Sequence, residues 1–383
     1  MSLVELSFAV GLVAAVVADI VAGIVVDIVA DNAAVVVVKI SAVTLSVAEG
    51  SFIVLKALQM TSQLHSMTGF LRTYGTYYGR RNFMKNLYLV EPPIEPKYGF
   101  GLECSSELAL RDDVDTLFTE ISSIEIIPES FFQNKRADFI KRLGESQQPV
   151  IGHCVELSLG SDEPLDRKHL DETKAVLDKV NCVIFSDHLC MTRASGIEIG
   201  QLTTLPFTQK VSDVVARKVD QIQKEFSQPF MIENITNRFI YPGNDLEEPH
   251  FINEVTRKTG CGHLLDITNL YINSVNFKFD PYKWIDKLNS KAVMGIHLAG
   301  GVKEGGVLYD THSRMVPKPV WDLLAYVLKK SRPDVIIIEW DQHMPETARL
   351  IEECHYGEDF LESLNERHIK NKFSKLTRAE VRV

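Results

Sequence analysis

The chain has 383 residues, 45% of them apolar and 24% charged, with a formal net charge of −10. That composition excludes global disorder and supplies ample material for a core. An acidic balance with no basic tract in the body of the chain also excludes a groove that tracks nucleic-acid phosphates. The cysteines, Cys104, Cys154, Cys182, Cys190, Cys261 and Cys354, are scattered singly with no CxxC pair, the usage of a reducing compartment, so a cytoplasmic enzyme is expected.

Residues 6 to 48 are dominated by Val, Ala and Ile, with the near-repetition VADIVAGIVVDIVAD at 17 to 31. A membrane span takes about 20 apolar residues, and one Asp at its centre costs about 2.5–3.5 kcal/mol. Asp19, Asp27 and Asp31 interrupt every candidate window, so membrane insertion is not expected. A basic leader is missing too, since Glu5 comes early and the first lysine is Lys39. Asp27 and Asp31 would share one face of a helix, whereas the β-branched richness suits strands equally well. From 61 to 97 the chain turns polar and aromatic and ends in EPPIEPKYG, whose prolines read as a linker. The expected organisation is an extension over 1–95, a catalytic domain over 96–365 and a basic, solvated tail over 366–383. The extension reads as a docking or membrane-associated arm, a fused peptide, or a leader without chemistry.

Beyond Pro96, short β-branched runs occur at 99 to 105, 123 to 128, 149 to 159, 181 to 189, 229 to 236, 262 to 269, 291 to 300 and 334 to 341. Segments such as DETKAVLDKV, VSDVVARKVDQIQKEF and PVWDLLAYVLKK lie between them, with apolar residues at the three- and four-residue intervals of amphipathic helices. Strands apolar on both faces and alternating with helices imply a helix-covered parallel sheet. Eight such repeats fit an α/β fold of the (β/α)₈ TIM-barrel type, which takes about 250 residues and carries its active site at the C-terminal strand ends.

Those strand ends carry His153, His188, Glu233, Asp266, Asn269, His297 and Glu339, with Asp310 and His312 expected in the loop after the seventh strand. Asp266 and Glu339 close the apolar runs GHLLD and VIIIE, where an uncompensated carboxylate costs several kcal/mol and a cation removes that cost. Imidazole with carboxylate suits Zn, Mn or Fe. Nine donors exceed the needs of one ion. His169, His263, His343 and His355 read as ordinary core or surface histidines.

The segments HCVELSLGSDEPLD (153 to 166), SDHL (186 to 189), IENITN (232 to 237), TGCGHLLDITNLYINSVN (259 to 276), IHLAGG (296 to 301), DTHS (310 to 313) and IEWD (338 to 341) resemble the DUF692 family of multinuclear non-haem iron oxidases. That family includes the methanobactin oxidase and related peptide-modifying enzymes. SIEIIPES (123 to 130) is similar to its LEVHPEN segment, with Glu125 and Glu129 in place. One departure stands out. Many members carry His-Tyr shortly after a first-strand Gly-Leu-Arg, whereas this chain has Ser106 and Glu107 after Gly101, Leu102 and Glu103, so the substrate class here is open to difference.

The resemblance implies a barrel with two or three irons in mixed Fe(II)/Fe(III) states. His153, His188 and Glu233 would form one site and Glu233, Asp266 and His297 a second, with Asn269, Asp310, His312 and Glu339 serving the third. It further implies O₂ as co-substrate, a ribosomally made precursor peptide oxidised most often at Cys, and a partner protein that recognises the peptide leader. Asp187 and Asn234, adjacent to these ligands, are candidates for orienting them. Two other readings remain open from the residues alone: a Zn- or Mn-dependent barrel hydrolase or isomerase, related in plan to sugar isomerases and apurinic endonucleases, and a metal-free binding module.

Overall fold

A computed structural model describes residues 25–30, 34–39 and 94–380, and the chain divides into two compact units, Met1–Glu91 and Pro92–Val383. In the first unit Val25–Ala30 pairs antiparallel with Ala34–Lys39, Val25 opposite Lys39 and Ala30 opposite Ala34. The Val/Ile-rich stretch thus takes the extended option at these residues, as β-branched side chains favour. The remaining expectations for 1–93 fall outside the described residues.

In the second unit the barrel strands are β1 (Phe100–Glu103), β2 (Ser123–Ile126), β3 (Val150–Cys154), β4 (Ile184–His188), β5 (Phe230–Glu233), β6 (Gly262–Asp266), β7 (Val293–Glu304) and β8 (Val335–Glu339). Each pairs in parallel with its sequence neighbour, and β8 pairs with β1, so the sheet closes into an eight-stranded barrel. Helices between the strands cover the outside, among them Arg167–Lys179, Gln209–Glu225 and Glu248–Thr259. Their starts are fixed locally. The Asp166 carboxylate accepts from the backbone N–H of Lys168 and His169, and the Thr208 hydroxyl accepts from Val211, each satisfying donors a helix leaves unpaired at its first turn.

Because successive strand residues alternate between faces, every second side chain points into the barrel. Ile151, Ile184, Met231, Leu264, Val335 and Ile337 form a closed apolar layer there. Two residues further along the same strands come His153, Ser186, Glu233, Asp266 and Glu339. The interior therefore changes from hydrocarbon floor to polar mouth within one strand repeat. Gly295 belongs to the floor. A Cβ there would lie 2.7 Å from Leu264 Cδ1 and 3.1 Å from Met231 Sδ, so only a bare backbone lets those side chains fill the layer beneath His297.

Two hairpins extend the strand ends. Met191–Ala194 pairs with Ile197–Thr203 across a turn at Ser195 and Gly196. The extended β7 pairs antiparallel with Val307–Arg314. Asp310 and His312 therefore sit on a strand, a correction to the loop expected from the sequence. The cause is the turn at Gly305 and Gly306, with φ of 58° and 87°, the left-handed pair that two-residue hairpins require. The last helix, Thr347–Glu380, runs unbroken through the position where a separate tail was expected to begin. Among the described residues no helix is long and apolar enough to cross a membrane.

Candidate metal centre

The polar mouth gathers seven of the nine donors read from the sequence. His153, His188 and Glu233 form one group, Glu233, Asp266 and His297 a second, and Asp266, His312 and Glu339 a third, with the offered atoms of each group within 4.8 Å of one another. Glu233 joins the first two. Its Oε2 lies 3.3 Å from His153 Nε2 and 3.5 Å from His188 Nε2, while Oε1 lies 3.5 Å from His297 Nδ1. Glu339 links the second and third, with Oε1 3.0 Å from His297 Nδ1 and Oε2 3.9 Å from His312 Nε2.

The two remaining donors stand beside these groups. Asp310 Oδ1 is 2.8 Å from His312 Nε2. Asn269 receives a cap from Asp266, whose Oδ1 accepts from the Asn269 backbone N–H at 2.8 Å, and its own buried Oδ1 makes no hydrogen bond.

Supporting side chains fix the donors in place. Ser186 Oγ lies 2.7 Å from His153 Nδ1, leaving Nε2 for the mouth. Asn234 holds β6 at both ends of its amide: Nδ2 donates to the Asp266 carbonyl, and Oδ1 accepts from the Asp266 backbone N–H and lies 3.1 Å from His263 Nε2. Asn269 Nδ2 in turn donates to the Asn234 carbonyl at 3.2 Å. Asp187 accepts from the Leu157 backbone N–H at 2.8 Å and so ties down the loop after β3. Both orienting candidates thus act on the segments that carry donors, Asn234 directly on Asp266.

Strand-end reading missed Glu103, which lies in the mouth beside Glu125 and Glu339. It missed Asp341 as well, whose Oδ2 is 2.9 Å from His312 Nδ1. Glu103 is the last residue of β1 and Glu125 the last but one of β2, so both occupy strand-end positions like the donors above. Asp341 follows the last strand and carried no comparable signal. The four histidines read as ordinary, His169, His263, His343 and His355, stay outside the clusters. His169 contacts Glu129, His263 contacts Asn234, and His355 faces the Glu120 carbonyl. All six cysteines are buried and free, and none belongs to a cluster.

The mouth crowds acids and imidazoles together: burial alone would lower His297 and His312, but the carboxylates around them push both well above an ordinary histidine. Burial, reinforced by Glu339 and Glu233, pushes the Asp266 carboxyl well above the usual range. Burial pushes the Glu103 carboxyl the same way, with Asp341, Glu339 and Glu125 adding to it. Burial alone would raise Glu233 too, but His188, His153 and His297 around it together hold it low. Burial drives His153 well below an ordinary histidine, with Glu233 pulling the other way. Several close approaches here are not hydrogen bonds. His297 Nδ1, Glu233 Oε2, Asp266 Oδ2 and Glu339 Oε2 are buried without a hydrogen-bond partner although charged neighbours are near. Lone pairs that converge without bonding one another are what a bound cation requires, and buried polar groups otherwise find partners. The donor set fits metal.

The residues 98–362 match the family model described as RiPP precursor modification enzyme MbnB/TglH/ChrH. The chain is 34% identical over 260 residues to a UPF0276 protein of Anaeromyxobacter sp., covering 67% of this chain and 89% of that one. It is 29% identical over 280 residues to a UPF0276 protein of Psychromonas ingrahamii, covering 71% of this chain and 97% of the relative. Among solved structures, a xylose isomerase domain protein from Planctomyces limnophilus aligns with a TM-score of 0.48 and 11% identity, over 72% of this chain and 100% of that one. The barrel itself is established by the strand pairing above. The chain belongs to the MbnB/TglH/ChrH family of RiPP precursor modification enzymes, the DUF692 family whose motifs line its mouth.

Proposed function

We propose that this protein is an O₂-dependent oxidase that holds two or three irons in the barrel mouth and oxidises a residue, in the first instance Cys, of a ribosomally synthesised precursor peptide. The observation that carries the reading is the overlap of three His/carboxylate groups through Glu233, common to the first two, and Asp266, common to the last two. Shared carboxylates place ions side by side, which a single-metal hydrolase or isomerase does not need. Membership in a family of precursor-modifying enzymes supports the peptide substrate.

His153, His188 and Glu233 would hold one iron, and Glu233, Asp266 and His297 the next. Asn269, Asp310, His312 and Glu339 would serve a third. Held by such mixed imidazole and carboxylate donors, iron would supply electrons for O₂ and an open position for a substrate thiolate. The chain's own contribution is geometric. Ser186 fixes the His153 ring, Asn234 fixes the Asp266 backbone, and the apolar floor closes the lower end of the barrel to water. The half-buried His312 and Asp310 stand at the open side, where a peptide would enter. The work is proposed to take place in the cytoplasm, with a second protein presenting the peptide leader.

The test is anaerobic purification of the full chain, metal analysis, and O₂ uptake with a Cys-containing precursor peptide encoded beside the gene, read by mass spectrometry. Two or more irons per chain with an oxidised peptide are expected. An active preparation holding one metal, or zinc alone, overturns the reading and returns the barrel to the hydrolase or isomerase class.

A further inference from the structure

One further group of donors lies where β8, β1 and β2 run side by side, and its defining member belongs to none of the iron groups above. Glu103 ends β1 and pairs in register with Glu125 on β2, while Leu102 pairs with Ile338, which puts Glu339 level with Glu103 on the other side. The three carboxylates offer oxygens within 4.8 Å of one another. Their exposures are 2%, 0% and 3% for Glu103, Glu125 and Glu339. Burying one unpaired carboxylate is already costly, and three adjacent ones repel as well.

Among the described residues only imidazoles oppose that charge, His312 at Glu103 and His297, whose Nε2 lies 3.2 Å from Glu125 Oε2. The charged groups acting on Glu103 are Asp341, Glu339 and Glu125, all of its own sign, with His312 the lone opposing one. Shared protons would satisfy three carboxyls by linking them. Yet Glu103 Oε1, Glu125 Oε1 and Glu339 Oε2 make no hydrogen bond at all. A separate observation comes from β7. The fully buried His297 turns Nε2 to within 3.0 Å of Glu125 Oε1 and Nδ1 to within 3.0 Å of Glu339 Oε1, and its Nδ1 makes no hydrogen bond. One imidazole facing two of the three carboxylates carries at most a single positive charge against three negative ones.

We propose that Glu103, Glu125 and Glu339 form an additional cation site in the wall of the mouth, one that takes a hard divalent ion of the Mn²⁺ and Mg²⁺ class. The donors are oxygen only, the set that such ions prefer, whereas the imidazole-containing groups suit iron. Glu339 would be shared with the iron groups, which places the hard ion alongside them. The inference goes beyond the oxidase reading and stands or falls separately, because Glu103 serves this site alone.

The experiment uses the full-length protein as purified with its metals. Wild type, Glu103→Gln and His188→Ala are each equilibrated with excess Mn²⁺ and desalted. Total metal per chain is then measured by elemental analysis and released Mn²⁺ by electron paramagnetic resonance. Glu103→Gln is expected to lose one Mn²⁺ per chain with its iron unchanged, while His188→Ala loses iron with its Mn²⁺ unchanged. Glu103→Asp, which keeps the charge but shortens the reach, is expected to bind Mn²⁺ at least about tenfold more weakly and serves if the Gln variant does not fold. Unchanged Mn²⁺ in Glu103→Gln, or unchanged affinity in Glu103→Asp, overturns the site. If His188→Ala still loses iron in that case, the oxidase reading survives the loss.

Discussion

Glu233 Oε1 lies 3.5 Å from Nδ1 of His297, while Oε2 of the same carboxylate lies 3.3 Å from His153 Nε2. One side chain therefore faces two donor groups, and its removal should not act like the removal of a terminal ligand. Glu233→Ala is expected to lower bound iron by more than one equivalent, and His188→Ala by one. Both should keep the barrel fold by circular dichroism, because the floor beneath them is apolar and complete without metal. Full iron in Glu233→Ala would sink the assignment.

Asn234 carries a different kind of load. Its amide oxygen accepts from the Asp266 backbone N–H and its amide nitrogen donates to the Asp266 carbonyl. Asn234→Ala would strand both backbone groups in a buried place, at a cost of about 1–3 kcal/mol each at most. The expected outcome is a lower urea midpoint together with metal binding weakened by about 10–100-fold, the usual effect of losing a group that orients a ligand. Unchanged metal affinity with lowered stability would reduce Asn234 to a structural role.

The barrel was legible because hydrophobic runs and helical spacing repeat eight times, and the ends of those runs, with His312 beyond the seventh, carry the seven donors that cluster in the mouth. What stayed hidden has a physical cause in each instance. Glu103 lies inside the apolar run at 99 to 105 rather than at its end, and Glu125 is marked only by the resemblance of SIEIIPES to the family segment. Asp310 and His312 read as loop residues because a Gly-Gly pair marks a turn without saying that the strands on either side of it pair. Gly300 completes that hairpin. A Cβ there would fall 2.0 Å from the Arg314 carbonyl oxygen, so only glycine lets the strand fold back and carry His312 to Glu339.

Stability should depend on pH through a residue remote from the candidate ligands. Glu248, half-buried at the start of its helix, accepts from Asn237 Nδ2 at 3.0 Å and Trp284 Nε1 at 3.1 Å, and burial outweighs these bonds to push its carboxyl from 4.5 up to about 7. The folded form thus binds the proton more tightly than the unfolded chain. Its contribution favours folding most below 4.5 and is lost as pH rises towards about 7. At about 1.4 kcal/mol for each tenfold change the ceiling is about 3 kcal/mol, and partial exposure cuts it to about 1 kcal/mol. Glu248→Gln should flatten that part of the stability curve in urea melts between pH 4 and 8, shifting the whole curve by the cost of turning an amide N–H towards a donor. A variant curve parallel to wild type would remove Glu248 as the cause.

The Val/Ala/Ile-rich extension should be separable from the barrel, and the place to cut follows from the packing. All eight barrel strands, their helices and every proposed ligand lie within Pro92–Val383. Ile94 belongs with them, because its backbone N–H donates to Asn365 Oδ1 at 2.8 Å and its carbonyl accepts from Asn365 Nδ2 at 3.1 Å. A cut at the prolines before it spares both bonds, whereas a cut at 95 removes them and frees the last helix at that point. Deleting 1–91 is therefore expected to leave a folded barrel that loads iron as the full chain does. Deleting 1–95 should give the same iron content with a slightly lower Tm, since two hydrogen bonds at a partly exposed position contribute about 0.5–1.5 kcal/mol each. If the extension delivers peptide, it acts by raising effective concentration, so its loss would weaken apparent binding of the precursor and leave turnover at saturation unchanged. It contains no Cys, the first being Cys104, and so it is not itself a target of Cys oxidation. Iron per chain, thermal melts and O₂ uptake on the two truncations and the full chain decide the matter. Aggregation or loss of iron in the 1–91 deletion would make the extension part of the folding unit and overturn the boundary.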